Sequence, residues 1–298
     1  MKKLLFLLAL IPFIFIGCEK DIAVNFPPPP DLLVIEGHIE PGGFAYVHVT
    51  RNANYFASTN TDSLLQYLVT DAIVVVSDGI LMDTLKQTFA PYLDPYFPAP
   101  VIYLGQLIIG QPNHTYTLKV IANGQTVTAT TSIPGLVPLD STWFKVENNL
   151  DSLGYVYGHM HDPDSLGNAY RFMIKRIGHF SDGKQKDLGF IADVNSVFDD
   201  KVINGQSFDG DFNRPHLPHD TSVENHNIEN GYFKKGDTIV LKWMTLDHDH
   251  YKFWQTEGIA ANGADNPFAS PTIIKSNIKG GLGIWGGYGT TYDTIIAK

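Results

Sequence analysis

One cysteine, few basic residues and no second long apolar run set the first limits on this chain of 298 residues. With Cys18 as its single cysteine, the chain forms no internal disulfide and carries no cysteine-rich metal site. Lys and Arg together number 21 against 31 Asp and Glu, a formal net charge of −10. That balance argues against a basic footprint for nucleic acid. Beyond the N-terminal segment, no stretch approaches the ~20 apolar residues that cross a bilayer as a helix. No Gly-x-Ser-x-Gly elbow is present either. What is abundant points elsewhere. Hydrophobic residues make up 44% of the chain, enough for a sizeable core. The 27 Gly and 18 Pro suggest many turns between short elements.

Residues 1–17 read as a secretion signal. Lys2 and Lys3 precede the apolar run Leu4–Ile16, which has the length of a signal core and is too short to span a bilayer. The run ends in Phe15-Ile16-Gly17-Cys18, which resembles the lipobox of bacterial lipoproteins, where cleavage precedes the cysteine and the thiol is acylated. Cys18 is therefore the expected lipidation site. Each buried methylene contributes ~0.8 kcal/mol, and more than one chain makes attachment stable. Residues 18–31 form the expected tether, stiffened by Pro27–Pro30 in polyproline II.

From Leu32 onward the pattern is that of strands. Ala45, Val47 and Val49 alternate with Tyr46, His48 and Thr50, and Tyr116, Leu118 and Val120 alternate with Thr117 and Lys119. Ala72–Val76 reads as a buried strand before the turn Asp78-Gly79. Asn123-Gly124 reads as a hairpin turn into Thr126–Thr130. Residues 32–134 are thus expected to form an N-terminal immunoglobulin-like β-sandwich. Pro134–Pro138 reads as a linker, and residues 139–298 as a second β-rich domain, with strands at Tyr155–His161, Ala169–Ile177 and Thr238–Thr245. This second domain carries one amphipathic helix, Asp247–Ala261. Asp247 is placed to cap it, Asp249 suits the first turn, and Tyr251, Trp254, Gly258 and Ala261 share a face expected to lie over a sheet. Phe198–Gly231 reads as a long exposed polar loop. The fold class is mostly β.

Several stretches are familiar as an ordered set. They are Arg51…Tyr55, Asp71–Asp78, Thr115–Leu118, Val137–Ser141, Asp162-Pro163…Asn168–Arg171, Phe198–Asp200…Gly205–Phe208, Tyr251…Trp254, Asn266–Phe268 and Ser276–Gly283. In this order they resemble the Bacteroidota lipoprotein family catalogued as domain of unknown function 4249, from about Leu32 to Thr294. The family often shows tandem aromatics before the arginine, where this chain has Ala169-Tyr170. The resemblance implies an outer-membrane lipoprotein, often encoded beside TonB-dependent transporters. It implies no established activity and no catalytic residues.

The candidate chemistry is thin. His159 and His161 share one face of a strand with Tyr155 and Tyr157, a spacing that can ligate one metal, although a solvated polar face is the favoured reading. His248 and His250, and His216 and His219, are further pairs; the first two do not share a helical face. Asp162–Asn168 has oxygen side chains without a calcium loop's spacing or closing Glu, and reads as a turn. Gly281–Gly286 spells a dinucleotide fingerprint, but no helix former follows, so close backbone approach around Trp285 and Tyr288 is the better reading and no nucleotide is expected. Asp-Ser/Thr-Leu/Ile triplets, among them Asp62-Ser63-Leu64, Asp151-Ser152-Leu153 and Asp164-Ser165-Leu166, resemble short O-glycan acceptor sites. The expectation is a non-enzymatic protein without a cofactor. It is held at the outer membrane by its lipid, on either face, and binds a TonB-dependent transporter, a ligand or both. Trp285 and Tyr288 are candidate contacts, because aromatics enrich at binding surfaces, although core packing is the favoured explanation for both. A structural or adhesive scaffold and a metal-dependent hydrolase on His159 and His161 are the alternatives.

Overall fold

Alternation of apolar and polar residues becomes alternation of burial along the strands. In the segment Thr115–Ala122 the side chains of Tyr116, Leu118, Val120 and Ala122 are buried and those between them face out. The computed structural model describes residues 30–53, 65–89, 101–148, 150–181, 183–193, 196–215, 231–263 and 272–298. The first strands are β1 (Leu33–Ile39), β2 (Phe44–Arg51), β3 (Ile73–Ser77), β4 (Met82–Thr84), β5 (Lys86–Phe89), β6 (Val101–Ile109), β7 (Thr115–Ala122) and β8 (Gln125–Ser132). They are followed by β9 (Ser141–Val146), β10 (Leu153–His161), β11 (Ala169–Ile177), β12 (Val197–Asp199), β13 (Ser207–Phe212), β14 (Phe233–Lys234) and β15 (Thr238–Leu246). The helix α1 (His248–Gly263) precedes β16 (Leu282–Gly287) and β17 (Gly289–Ile296). The protein is mostly β, as the sequence pattern predicts.

Two sheets, ordered β16-β1-β2-β6-β5 and β4-β3-β7-β8, share one core that includes Val47, Val49, Val74, Leu118, Val120 and Trp285. Two more enclose a second core: β13, β9 and β14 flank β10 in one, and the other runs β12-β11-β15-β17. Trp243 stands at its centre, stacked on Tyr170 and edge-on to Phe212, with its indole N–H donated to the Val137 carbonyl. The helix lies against β11, β12 and β16, over the outer side of the β11–β15 pair, where Ala169, Met244, Leu246, Tyr251 and Tyr288 form a third apolar cluster.

Asp31–Lys298 forms one unit, because β16 returns to pair in parallel with β1, Val34 opposite Leu282 through Ile39 opposite Gly287. Glycine permits this. Gly283 has φ of +100°, and a Cβ there would fall inside the Ile35 carbonyl.

The first sheet also carries a large irregularity. Tyr46 pairs with Leu104 but Phe44 with Ile109, so β6 bulges between them. Buried Asp83 fills the bulge: its Oδ2 accepts the backbone N–H groups of Gln106, Leu107 and Ile108 at 2.8, 2.7 and 3.2 Å.

The segment Phe198–Gly231, expected as a loop, holds the end of β12 and all of β13 in its described part. Phe208 and Phe212 pack on the second core while Asp209 and Asp211 face out, a short period-two pattern that flanking polar residues obscure. The helix runs two residues past its expected end, and Ala261 on its expected inner face is exposed; His250 is buried instead. The signal and nearly all of the tether lie outside the described residues.

Candidate functional site

His159 and His161 do share a face of β10 with Tyr155 and Tyr157, opposite buried Val156 and Met160. Each is engaged by the neighbouring strand. His159 Nδ1 lies 2.6 Å from Asp209 Oδ1, and His161 Nδ1 lies 3.0 Å from Ser207 Oγ. Among the described residues no group of three or more His, Cys, Asp or Glu is placed to hold a metal ion. His248 is exposed at the start of α1 and His250 is buried. Cys18, His216, His219 and Asp62-Ser63-Leu64 lie outside the described residues.

The Asp162–Asn168 turn is held by donors. Asp162 is buried and accepts the Tyr170 hydroxyl at 2.5 Å and the Gly205 N–H at 3.2 Å. Asp200 accepts the N–H groups of Gly167 and Asn168 at 2.7 and 2.8 Å. Burial and the Asp162 hydrogen bond raise the Tyr170 hydroxyl well above the ordinary phenol value.

Trp285 has no exposed surface. It completes the first core, and its indole N–H is donated to the Tyr116 carbonyl at 3.2 Å. Asn277 clamps its backbone, accepting the Trp285 N–H at 3.0 Å and donating to its carbonyl at 2.8 Å. Tyr288 is buried as well, but it lies at the junction of the sheets rather than in a core centre. Its ring stands 5.9 Å from that of His38 and 5.4 Å from that of His250. Its hydroxyl accepts the Trp254 indole N–H at 3.3 Å. Burial pushes this phenol up to about 12, with Arg171 pulling the other way.

Around Tyr288 the structure gathers side chains from distant parts of the chain. Arg171 sits between the core residues Tyr170 and Phe172 on β11, so strand geometry turns it to the opposite face. The helix brings Trp254 over it, positioned by the Asp247 cap, whose Oδ1 accepts the His250 backbone N–H at 2.9 Å. The Arg171 guanidinium carbon lies 3.4 Å from the Trp254 ring centre. Arg171 is only 8% exposed, its guanidinium hydrogen-bonds to no described residue, and its Nε is buried without a partner. Burial lowers its affinity for its proton, while Tyr288, Glu257 and Glu36 act to hold it.

Beside it, β1 and β2 contribute His38 stacked on Tyr46, ring centres 5.0 Å apart. Lys242 on β15 donates to Glu40 at 2.5 Å, and Tyr292 donates to the other Glu40 oxygen at 3.2 Å. Burial raises the Glu40 carboxyl, but His38 and Lys242 outweigh it and leave it below its ordinary value. Burial depresses His38 to about 4, only partly offset by Glu40, so the ring is neutral at pH 7.

The seam thus joins Tyr288, expected as a contact residue, and Trp254, expected on the inner face of the helix, to Arg171, His38, Glu40 and Lys242, to which sequence reasoning gave no site role. The available signal was the charge of Arg171 among the apolar residues of β11, which reads equally as a solvent-facing position. No curated protein matches the chain. A family model described as a domain of unknown function, DUF4249, matches residues 19–294. Nearly the whole chain is covered, and the protein belongs to the DUF4249 family.

Proposed function

We propose that this protein is a lipid-anchored, non-enzymatic envelope lipoprotein of the outer membrane that serves as an accessory or ligand-binding partner of a TonB-dependent transporter. The observation that carries the reading is the lone thiol of Cys18, which follows the apolar run Leu4–Ile16 and precedes a proline-rich stretch and a β-built body. Acyl chains on that thiol hold the body within tether reach of the bilayer. The β scaffold fixes its side chains rigidly, which suits recognition. The buried, unpaired guanidinium of Arg171 supports ligand binding, since a desolvated cation without a counter-ion is costly to keep.

Fractionation of cells expressing the wild-type chain or Cys18→Ser tests the anchor. The wild type is expected in the outer membrane and the variant in the soluble fraction; equal membrane association of both overturns the reading. Pull-down of the wild-type lipoprotein from solubilised outer membranes tests the partner. Co-purification of a transporter barrel is expected, and its absence under conditions that retain other outer-membrane complexes counts against that role.

A further inference from the structure

We propose that the seam between β1 and the helix-covered face of β11 binds an oxyanion, the carboxylate or phosphate group of a small ligand, through the Arg171 guanidinium and the Tyr288 hydroxyl. This deepens the binding role proposed above by giving the ligand a chemical class.

The argument starts from donors without acceptors. A guanidinium carries five N–H donors in one plane. The Trp254 indole, 3.4 Å from the guanidinium carbon, covers the face of that plane and leaves its N–H edge untouched. No described residue accepts from the Arg171 side chain, and its Nε is fully buried. The Tyr288 hydroxyl accepts the Trp254 N–H at 3.3 Å, and its own proton goes to no acceptor among the described residues. Both donor groups thus lie against Trp254 with no acceptor among the described residues, and an in-plane pair of oxygens on carboxylate or phosphate is the partner that a guanidinium edge fits.

The surrounding charges leave that edge available. Glu36 and Glu257 act on Arg171 through their charge. Glu40 is committed to Lys242 and Tyr292. His38 is neutral at pH 7 and adds no charge of its own. The aromatic rings of Trp254, Tyr288 and Tyr46 flank the position and suit a planar or apolar ligand body. Along β1 the seam borders exposed Glu36.

The test uses the detergent-solubilised full-length protein titrated with benzoate, phenyl phosphate and neutral benzyl alcohol, followed by tryptophan fluorescence and thermal shift. At least one anion is expected to give a saturable response and benzyl alcohol none. The tighter of the two anions tells a carboxylate ligand from a phosphate one. Arg171→Lys, which keeps the charge but loses the fork, is expected to weaken binding about tenfold or more. Tyr288→Phe removes only the hydroxyl and is expected to weaken it about three- to fivefold. Should Arg171→Lys fail to fold, the wild-type titrations and Tyr288→Phe decide. The proposal is overturned if neither anion saturates, if benzyl alcohol binds as tightly as they do, or if the folded variants bind like the wild type. Anchoring through Cys18 is read by fractionation and stands or falls separately.

Discussion

His250 Nε2 lies 2.7 Å from the carbonyl oxygen of Trp285, and this contact ties the start of α1 to β16 in the first sheet. A carbonyl only accepts, so Nε2 carries the proton. On the other side of the ring, Nδ1 lies 2.8 Å from the Asp247 carboxylate that also caps the helix. Burial raises the Asp247 carboxyl, but its contacts with His250 outweigh that and hold it below its ordinary value.

Replacing His250 by Ala is therefore expected to destabilise the fold by about 2–4 kcal/mol, through a cavity and the loss of a buried hydrogen bond to a carbonyl that Asn277 alone then serves. His250→Gln keeps a donor within reach and is expected to recover part of the loss. Urea unfolding of the two variants beside the wild type measures both; equal stability of all three overturns the role given to this contact.

Gly283→Ala is expected to be more damaging than a surface substitution, by about 3 kcal/mol or more. The backbone there has φ of +100°, and the new methyl meets the Ile35 carbonyl in the parallel β1–β16 ladder. Loss of β16 pairing would show as fast amide exchange at Ile284 and Trp285, while the β11–β15 ladder stays protected.

Asp83 offers a graded test. Asp83→Ala leaves three N–H groups of the β6 bulge, that of buried Ile108 among them, without this acceptor, an expected cost of about 3 kcal/mol. Asp83→Asn keeps one carbonyl oxygen for them and is expected to cost about half as much, since the bonds lose their charge assistance. Thermal unfolding ranks the two.

Acid is expected to weaken the protein before its carboxylates are titrated. His38 is held at about 4 in the folded chain against 6.5 when free. Between those values the unfolded chain takes up a proton that the folded chain refuses, so stability falls as pH falls through that window. Below it, Glu40 and Asp247, both held below their ordinary values, extend the loss. His38→Gln is expected to flatten the curve of melting temperature against pH between about 6.5 and 4 while leaving the steeper acid limb; an unchanged slope there counts against the assignment.

Local patterns carried most of the strand assignments. The alternation of Ala45, Val47 and Val49 marks the buried face of β2. Asn123 and Gly124 both adopt positive φ in the β7–β8 turn, as their hairpin signature predicts. Asp247 caps α1 because a carboxylate before an amphipathic run has N–H groups to accept. The pattern failed where the period was short or interrupted, as in β13, whose inward phenylalanines, Phe212 buried and Phe208 partly so, stand among Asp and Gly.

A residue's neighbours along the chain decide whether it turns inward or outward, because strand and helix periods are local properties of the backbone. They do not decide what it turns toward. That β16 pairs with β1, that Glu40 meets Lys242 and that Trp254 covers Arg171 are contacts across long sequence separations, settled by which surfaces pack most completely when the sheets assemble. The mostly β architecture was thus written in residue order, while the seam and its unpaired guanidinium exist only in the folded protein.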